Sequence, residues 1–139
     1  MAISVLTDAL VIINGVTLSD HASNVTVEDN RDAVDVTAMG ATSKAVTKGL
    51  GDAKITVKLF QDFAAAKTHA TLQPLIGSST GVVIEVRPTS GARSATNPAA
   101  VMTGLLMNYN FIDGGVGAAS EITAEFTNSS QTGMQYLTA

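Results

Sequence analysis

Two histidines, His21 and His69, and an acidic run of Glu28, Asp29, Asp32 and Asp35 are the residues of this chain best equipped for chemistry. Paired imidazoles bind a metal when a spacing such as H-x-x-x-H puts them on one helix face, and alternating oxygen ligands can hold calcium. Neither pattern is met. The histidines lie far apart in sequence and are expected at the surface or its boundary. The acidic run lacks the central Gly and closing Glu of a calcium loop, so it reads as a solvated or intersubunit charge cluster. The glycines at 49 and 51, and those from 114 to 117, lack the Lys-Ser/Thr of a phosphate loop and the strand-to-helix setting of a dinucleotide site. No serine is read as the nucleophile of an elbow. The absence of cysteine removes thiol nucleophiles, thiolate metal sites and disulfides. No catalytic residues, metal or cofactor are therefore expected, and the chain is not expected to be an enzyme.

The composition points to assembly. The 139 residues suit one domain with one core. Hydrophobic residues make up 45%, and they are mostly aliphatic; Trp is absent, and the β-branched residues favour strands. Charged residues are only 14%, against roughly 25% in an ordinary soluble domain. So sparse a charge suits a surface partly covered by another subunit. The net charge of −4, with no cluster of Lys or Arg, gives nothing to grip phosphates. The first ten residues carry no positive charge, and no apolar run approaches the roughly 20 residues of a membrane span, so a soluble cytoplasmic product with no membrane partner is expected.

The elements that must hold these residues are mainly strands. Asn14-Gly15 between two apolar runs predicts a type I′ hairpin. Residues 24–28 alternate with period two and point Val25 and Val27 inward. Residues 29–51 begin with dense charge, pass a short strand at Val34 and Val36, and continue as a polar stretch from Met39 to Gly51 without periodicity. A loop of that length is either a floppy hairpin tip or an arm that orders against a neighbour. Residues 52–60 alternate again, with Ala53, Ile55, Val57 and Leu59 on one face and Lys54, Thr56 and Lys58 on the other. Asp62 is placed to cap a helix from Phe63 toward Leu72, ended by Pro74 and Gly77. Strands follow at 82–86, about 101–111 and 121–126, the last with Ile122, Ala124 and Phe126 inward. Lys54 and Lys58 share one strand face, as do Glu121 and Glu125; pairing of the two strands would let them form opposite-charge pairs. The tail from Asn128 is polar, anchored by Met134, Tyr136 and Leu137. A mainly β domain follows, a β-sandwich or partly closed barrel with one flanking helix.

Several stretches form a recognisable series: Asn14-Gly-Val-Thr-Leu-Ser-Asp-His21, Val25-Thr-Val-Glu-Asp-Asn-Arg-Asp32 and Val34-Asp-Val-Thr-Ala-Met-Gly40, then Lys48-Gly-Leu-Gly-Asp52. Phe60-Gln-Asp-Phe63 leading to Leu72-Gln-Pro-Leu75, Val86-Arg-Pro88 and Ala95-Thr-Asn-Pro98 complete it. Together they cover most of the chain in a consistent order, and in this the chain resembles the major tail proteins of tailed bacteriophages that infect actinobacteria and carry long non-contractile tails.

The resemblance implies a tail tube fold spanning residues 1–139, in which hexameric rings join strands of adjacent subunits into an inner barrel and stack into a hollow virion tube. A protruding arm at residues 30–51 and terminal arms at 1–8 and 128–139 would bridge rings. Arg31, Asp32, Asp35, Met39, Lys44, Lys48 and Leu50 are the inter-ring candidates it suggests, and Lys54, Lys58, Glu121 and Glu125 the candidates for the bore. Implied partners are further copies of the chain, the tape measure, terminator and distal tail proteins, and DNA that transits without specific binding. Assembly would take place in the host cytoplasm. The tube of a contractile tail or injection device, or a neck or terminator ring, would share these features. A sugar-binding sandwich would instead want exposed aromatics, and the chain has only Tyr109 and Tyr136 as tyrosines.

Overall fold

The computed structural model describes residue 3 and residues 5–139. Strand β1 (Leu10–Ile13) turns into β2 (Val16–Thr17) through Asn14 and Gly15, whose φ angles of 51° and 81° are the two left-handed positions of a type I′ turn. Ile13 pairs with Val16 across it. Strands β3 (Ala22–Asp35) and β4 (Val46–Phe60) form a long hairpin. A short helix α1 (Thr68–Leu72) runs into a 3-10 turn (Gln73–Leu75). Then come β5 (Val82–Arg87), β6 (Ala99–Tyr109), β7 (Glu121–Asn128) and β8 (Gln135–Leu137).

The strands form one antiparallel sheet in the order β2-β1-β5-β6-β7-β4-β3, with β8 beside the start of β6. Alternate residues face the same side of a strand, and outside the outer part of the β3–β4 hairpin one apolar set of each long strand faces inward. Val11 and Ile13 of β1, Ile84 of β5, Met102 of β6, Ile122 and Phe126 of β7, and Ile55, Val57 and Leu59 of β4 are buried together. Leu72 and Leu75 from the helical segment join that core. The barrel stays open beside β3, which has strand β4 on one side and no strand on the other among the described residues. Val25 and Val27 are therefore only half-buried, and with Leu6, Ala9, Val86 and Pro88 they line a groove of about 360 Å³.

Four expectations change in detail. The helix is shorter, because Asp62 caps a local turn instead of the helix. Its Oδ1 accepts the Ala64 N–H at 2.9 Å, and Ala66 at φ 60° breaks the path before α1 begins. Pro74 does not stop the helical segment but sits in the first turn of the 3-10 stretch, where its missing N–H costs nothing.

The stretch from Met39 to Gly51 is not one long loop. β4 begins at Val46, Val34 pairs with Thr47 and Asp35 with Val46, so only residues 36–45 form the tip. Periodicity fails there for a physical reason. Residues 31–48 are exposed on both faces of a two-stranded ribbon, so no polarity alternation is imposed. A bulge also shifts the phase: the register moves from Arg31↔Gly51 to Ala33↔Lys48, setting Asp32 against both Gly49 and Leu50.

The C-terminal tail is partly built into the sheet. Asn128 ends β7, Met134 is buried, and β8 pairs Leu137 with Ala99 and Tyr136 with Ala100. Of the expected N-terminal arm at 1–8, Met1, Ala2 and Ser4 lie outside the described residues, while Ile3, Val5 and Leu6 are exposed. Finally, β6 starts two residues earlier than the pattern suggested, at the buried Ala99.

Candidate functional site

The ribbon is the first candidate surface. At its root Arg31 donates to the Asp29 carboxylate and to the Asn30 carbonyl at 3.1 Å. Asp29 also accepts the Tyr136 hydroxyl at 3.1 Å, which ties β8 to the ribbon. Arg31 lies over Gly51, where an added Cβ would come within 2.5 Å of its Nη1 and make the guanidinium move aside. Toward the tip, Asp35 accepts the Thr37 N–H at 2.9 Å, and the Thr37 hydroxyl and N–H hold its carboxyl below the usual range. The Ala45 N–H donates to Thr37 Oγ1 at 2.8 Å. Asp32, Met39, Lys44, Lys48 and Leu50 are exposed, Met39 at 103% of its reference area.

The second candidate surface is the outward face of β3, β4 and β7. The sequence pattern placed Lys54 and Lys58 opposite Glu121 and Glu125, and β4 does pair with β7. The register sets Thr56, not a lysine, directly across from Glu125, so contact is diagonal. Lys54 Nζ reaches Glu125 Oε1 at 2.8 Å, and that bond raises the ammonium's pKa. Glu28 stands directly across from Lys54 on β3. Glu121 instead accepts the Ser23 hydroxyl, and among the described residues Lys58 makes no ion pair. One of the two possible pairs thus exists.

Other polar residues do structural work that the sequence reading missed. His21 and His69 are anchors. His21 Nδ1 lies 2.9 Å from Asp20 Oδ1, and Nε2 lies 2.7 Å from Asp62 Oδ2, while Lys67 reaches Asp20 at 3.3 Å. This cluster pins the segment before β3 to the segment before α1. His69 Nδ1 meets the Tyr109 hydroxyl at 2.9 Å and packs against Phe63 and Phe111. Glu85 is a buried acid in the apolar run of β5, bonded by Arg87 and Arg93. Burial pushes its carboxyl up, but the Arg93 and Arg87 bonds outweigh that and leave it below the ordinary value. Buried Asn97 organises the loop before β6: its Nδ2 donates to the Gly91 and Ala92 carbonyls at 3.0 and 3.1 Å, and its Oδ1 accepts the Thr89 N–H at 3.1 Å. A lone acid between Ile84 and Val86, with two arginines downstream, was the available signal for Glu85.

The His21 cluster predicts a pH dependence. Hydrogen bonds to the Asp20 and then the Asp62 carboxylate raise the His21 pKa above its ordinary value, against a smaller lowering by burial. A raised folded-state pKa means the contribution is fully present below about pH 6.5 and is lost as pH rises through the folded value. The Asp20 and Asp62 carboxyls are lowered, Asp20 first by the His21 bond and Asp62 first by the Ala64 N–H. Their contribution is present above about pH 4 and is lost on acidification. The stability difference between the native chain and His21→Gln is therefore expected to be largest near pH 5–6 and to shrink toward pH 9. Thermal melts of both proteins across that range check it; a difference that grows with rising pH refutes the ion-pair account.

One serine string does have the spacing of a nucleophile elbow: residues 77–81, centred on Ser79. The structure places it after the 3-10 turn and before β5, the reverse of the strand-to-helix order an elbow requires. The Thr80 N–H donates to Ser78 Oγ at 3.2 Å, so the string is a simple turn. Among the described residues no group of three or more His, Cys, Asp or Glu is placed to hold a metal, and no helix is long and apolar enough to cross a membrane.

No protein-family model matches the sequence, and no curated protein matches it. Solved structures do. A chain from the virion of a native gene transfer agent particle superposes with a TM-score of 0.73 at 12% identity, covering 94% of this chain and 95% of that one. A chain from the tail of an empty gene transfer agent particle, determined with C6 symmetry, gives 0.66 at 10% identity, with coverage of 84% and 82%. The SPP1 tail tube gives 0.73 at 10% identity, over 95% of this chain and 77% of that one. At these identities the likeness establishes a shared fold.

Proposed function

We propose that this protein is a structural, non-catalytic subunit of a virion tail tube. Copies join through their free sheet edges into sixfold rings, the rings stack into a hollow tube, and DNA passes along the bore. The observation that carries this reading is the backbone match along nearly the whole chain to chains from a virion and a tail tube. The C6 symmetry of the gene transfer agent tail supports the sixfold ring. The open edge of β3 supports it as well, since an unpaired strand edge invites pairing, and pairing within a closed ring satisfies it without uncontrolled growth.

In this reading the ribbon, centred on residues 30–51, bridges rings through Arg31, Asp32, Asp35, Met39, Lys44, Lys48 and Leu50, assisted by the termini at 1–8 and 128–139. The face of β3, β4 and β7 lines the bore. Its Glu28, Glu121 and Glu125 outnumber Lys54 and Lys58, and Lys54 is already paired with Glu125. An acid-leaning wall repels phosphates and keeps DNA mobile. Tape measure, terminator and distal tail proteins would complete the structure at the virion.

Negative-stain microscopy of the purified protein at high concentration tests the reading. Tubes of stacked sixfold rings are the expected result, and a protein that stays monomeric under all assembly conditions overturns it. A tube map with Glu121 and Glu125 away from the bore would sink the wall assignment alone.

A further inference from the structure

The two ends of the β3–β4–β7 sheet expose different surfaces, and they are complementary. At one end stands the ribbon. At the other, the loop of residues 110–120 leads into β7 beside Phe60, where β4 ends. β4 alone, at 15 residues, separates these ends by roughly 50 Å.

The loop is built rather than slack. Gln61 Nε2 donates to the Phe111 carbonyl at 2.6 Å and to the Tyr109 hydroxyl at 2.9 Å. Phe111 packs edge-on against Phe63 and His69, with ring centroids 5.5 and 5.2 Å apart. The Glu121 N–H donates to the Asp113 carbonyl at 3.0 Å, and the Asp113 N–H to Ser120 Oγ at 3.2 Å. On that frame Phe63, Phe111, Ile112 and Val116 are left facing solvent, an apolar patch with no cover among the described residues. Exposed apolar area so concentrated marks a contact surface.

The ribbon is the matching half. Val36, Met39 and Val46 are exposed at its tip. Along the ribbon Arg31, Lys44 and Lys48 outnumber Asp32 and Asp35, while at the loop Asp113 and Glu121 outnumber the neighbouring Lys58. Ribbon against loop sets a base-leaning surface on an acid-leaning one, which neither surface meets in a copy of itself. Two different patches at opposite ends of one molecule make a heterologous contact, which repeats without closing and builds an open stack.

We infer that the ribbon tip of one copy docks on the 110–120 loop and Phe63 of a copy in the next ring, with Lys44 facing Asp113. This rests on the tube reading and names the receiving surface within it.

The chain has no cysteine, so placed cysteines report cleanly. A chain carrying both Lys44→Cys and Val116→Cys is assembled and treated with a short bismaleimide. Head-to-tail docking is expected to give a covalent ladder extending beyond dimers on a denaturing gel, whereas each single variant stops at dimer or below. In parallel, Lys44→Glu and Asp113→Lys are each expected to shorten tubes, and the two together to restore length, with unchanged melting by circular dichroism in all three. Tubes on the grid without a ladder and without rescue would overturn the docking and leave the tube reading standing. An unsubstituted protein that forms no tubes would overturn the tube reading, and the docking with it.

Discussion

A chain in which residues 36–45 are replaced by Asn-Gly is expected to fold normally and to fail to stack. Asp35 and Val46 already face each other at the end of the ribbon pairing, so a two-residue type I′ turn closes the hairpin there without strain. All ten residues removed are exposed and none belongs to the core. Surface changes of this kind shift stability by no more than about 0.5 kcal/mol, so the urea midpoint should hardly move. Assembly should move greatly, because the exposed Met39 and Lys44 leave with the tip. Single rings or dispersed subunits are expected by negative stain. Tubes of normal length would refute the bridging role of the ribbon.

The design of that variant depends on the structure. A deletion within residues 41–48 is also expected to permit folding and block stacking. Yet residues 46–48 belong to β4 and pair with Ala33, Val34 and Asp35. Removing them strips the outer end of β3 of its partner and mixes an edge effect with the loss of the tip.

The largest effect on stability is expected from Phe126→Ala. Phe126 is fully buried and stands directly across from Ile55 on β4 and Leu106 on β6, so it bridges three strands at the centre of the sheet. Truncating a buried Phe removes its transfer free energy and leaves a cavity, together about 3–5 kcal/mol. A domain of this size has about 5–15 kcal/mol in all, so one substitution consumes a large share. Aromatics are scarce here, at 4% of the chain, so the neighbours that would have to fill the gap are mostly smaller aliphatic groups. Chemical denaturation should show a midpoint well below that of the native chain, with tube yield falling because fewer folded subunits are available. A loss below about 1 kcal/mol would mean the core collapses around the gap, contrary to a close-packed sheet interior.

What the sequence by itself determined is the part governed by local rules and one-sided burial. The turn at Asn14 and Gly15 follows from which residues tolerate positive φ. The inward sets Ile55–Val57–Leu59 and Ile122–Ala124–Phe126 follow from a period of two, because each strand has one dry face and one wet one. The mainly β class was equally legible. Tertiary structure alone decided everything that depends on pairing across distance. The Lys54–Glu125 bond exists and a Lys58–Glu121 bond does not, because the register of β4 against β7 sets the charges diagonally and Ser23 claims Glu121. His21 and Asp62 are 41 positions apart in the chain and 2.7 Å apart in space. The ribbon escaped the pattern because it is wet on both faces, and a strand with no dry face has no reason to alternate. Its position at one end of the sheet, opposite the loop before β7, is a property of the fold, and the proposed stacking contact depends on it.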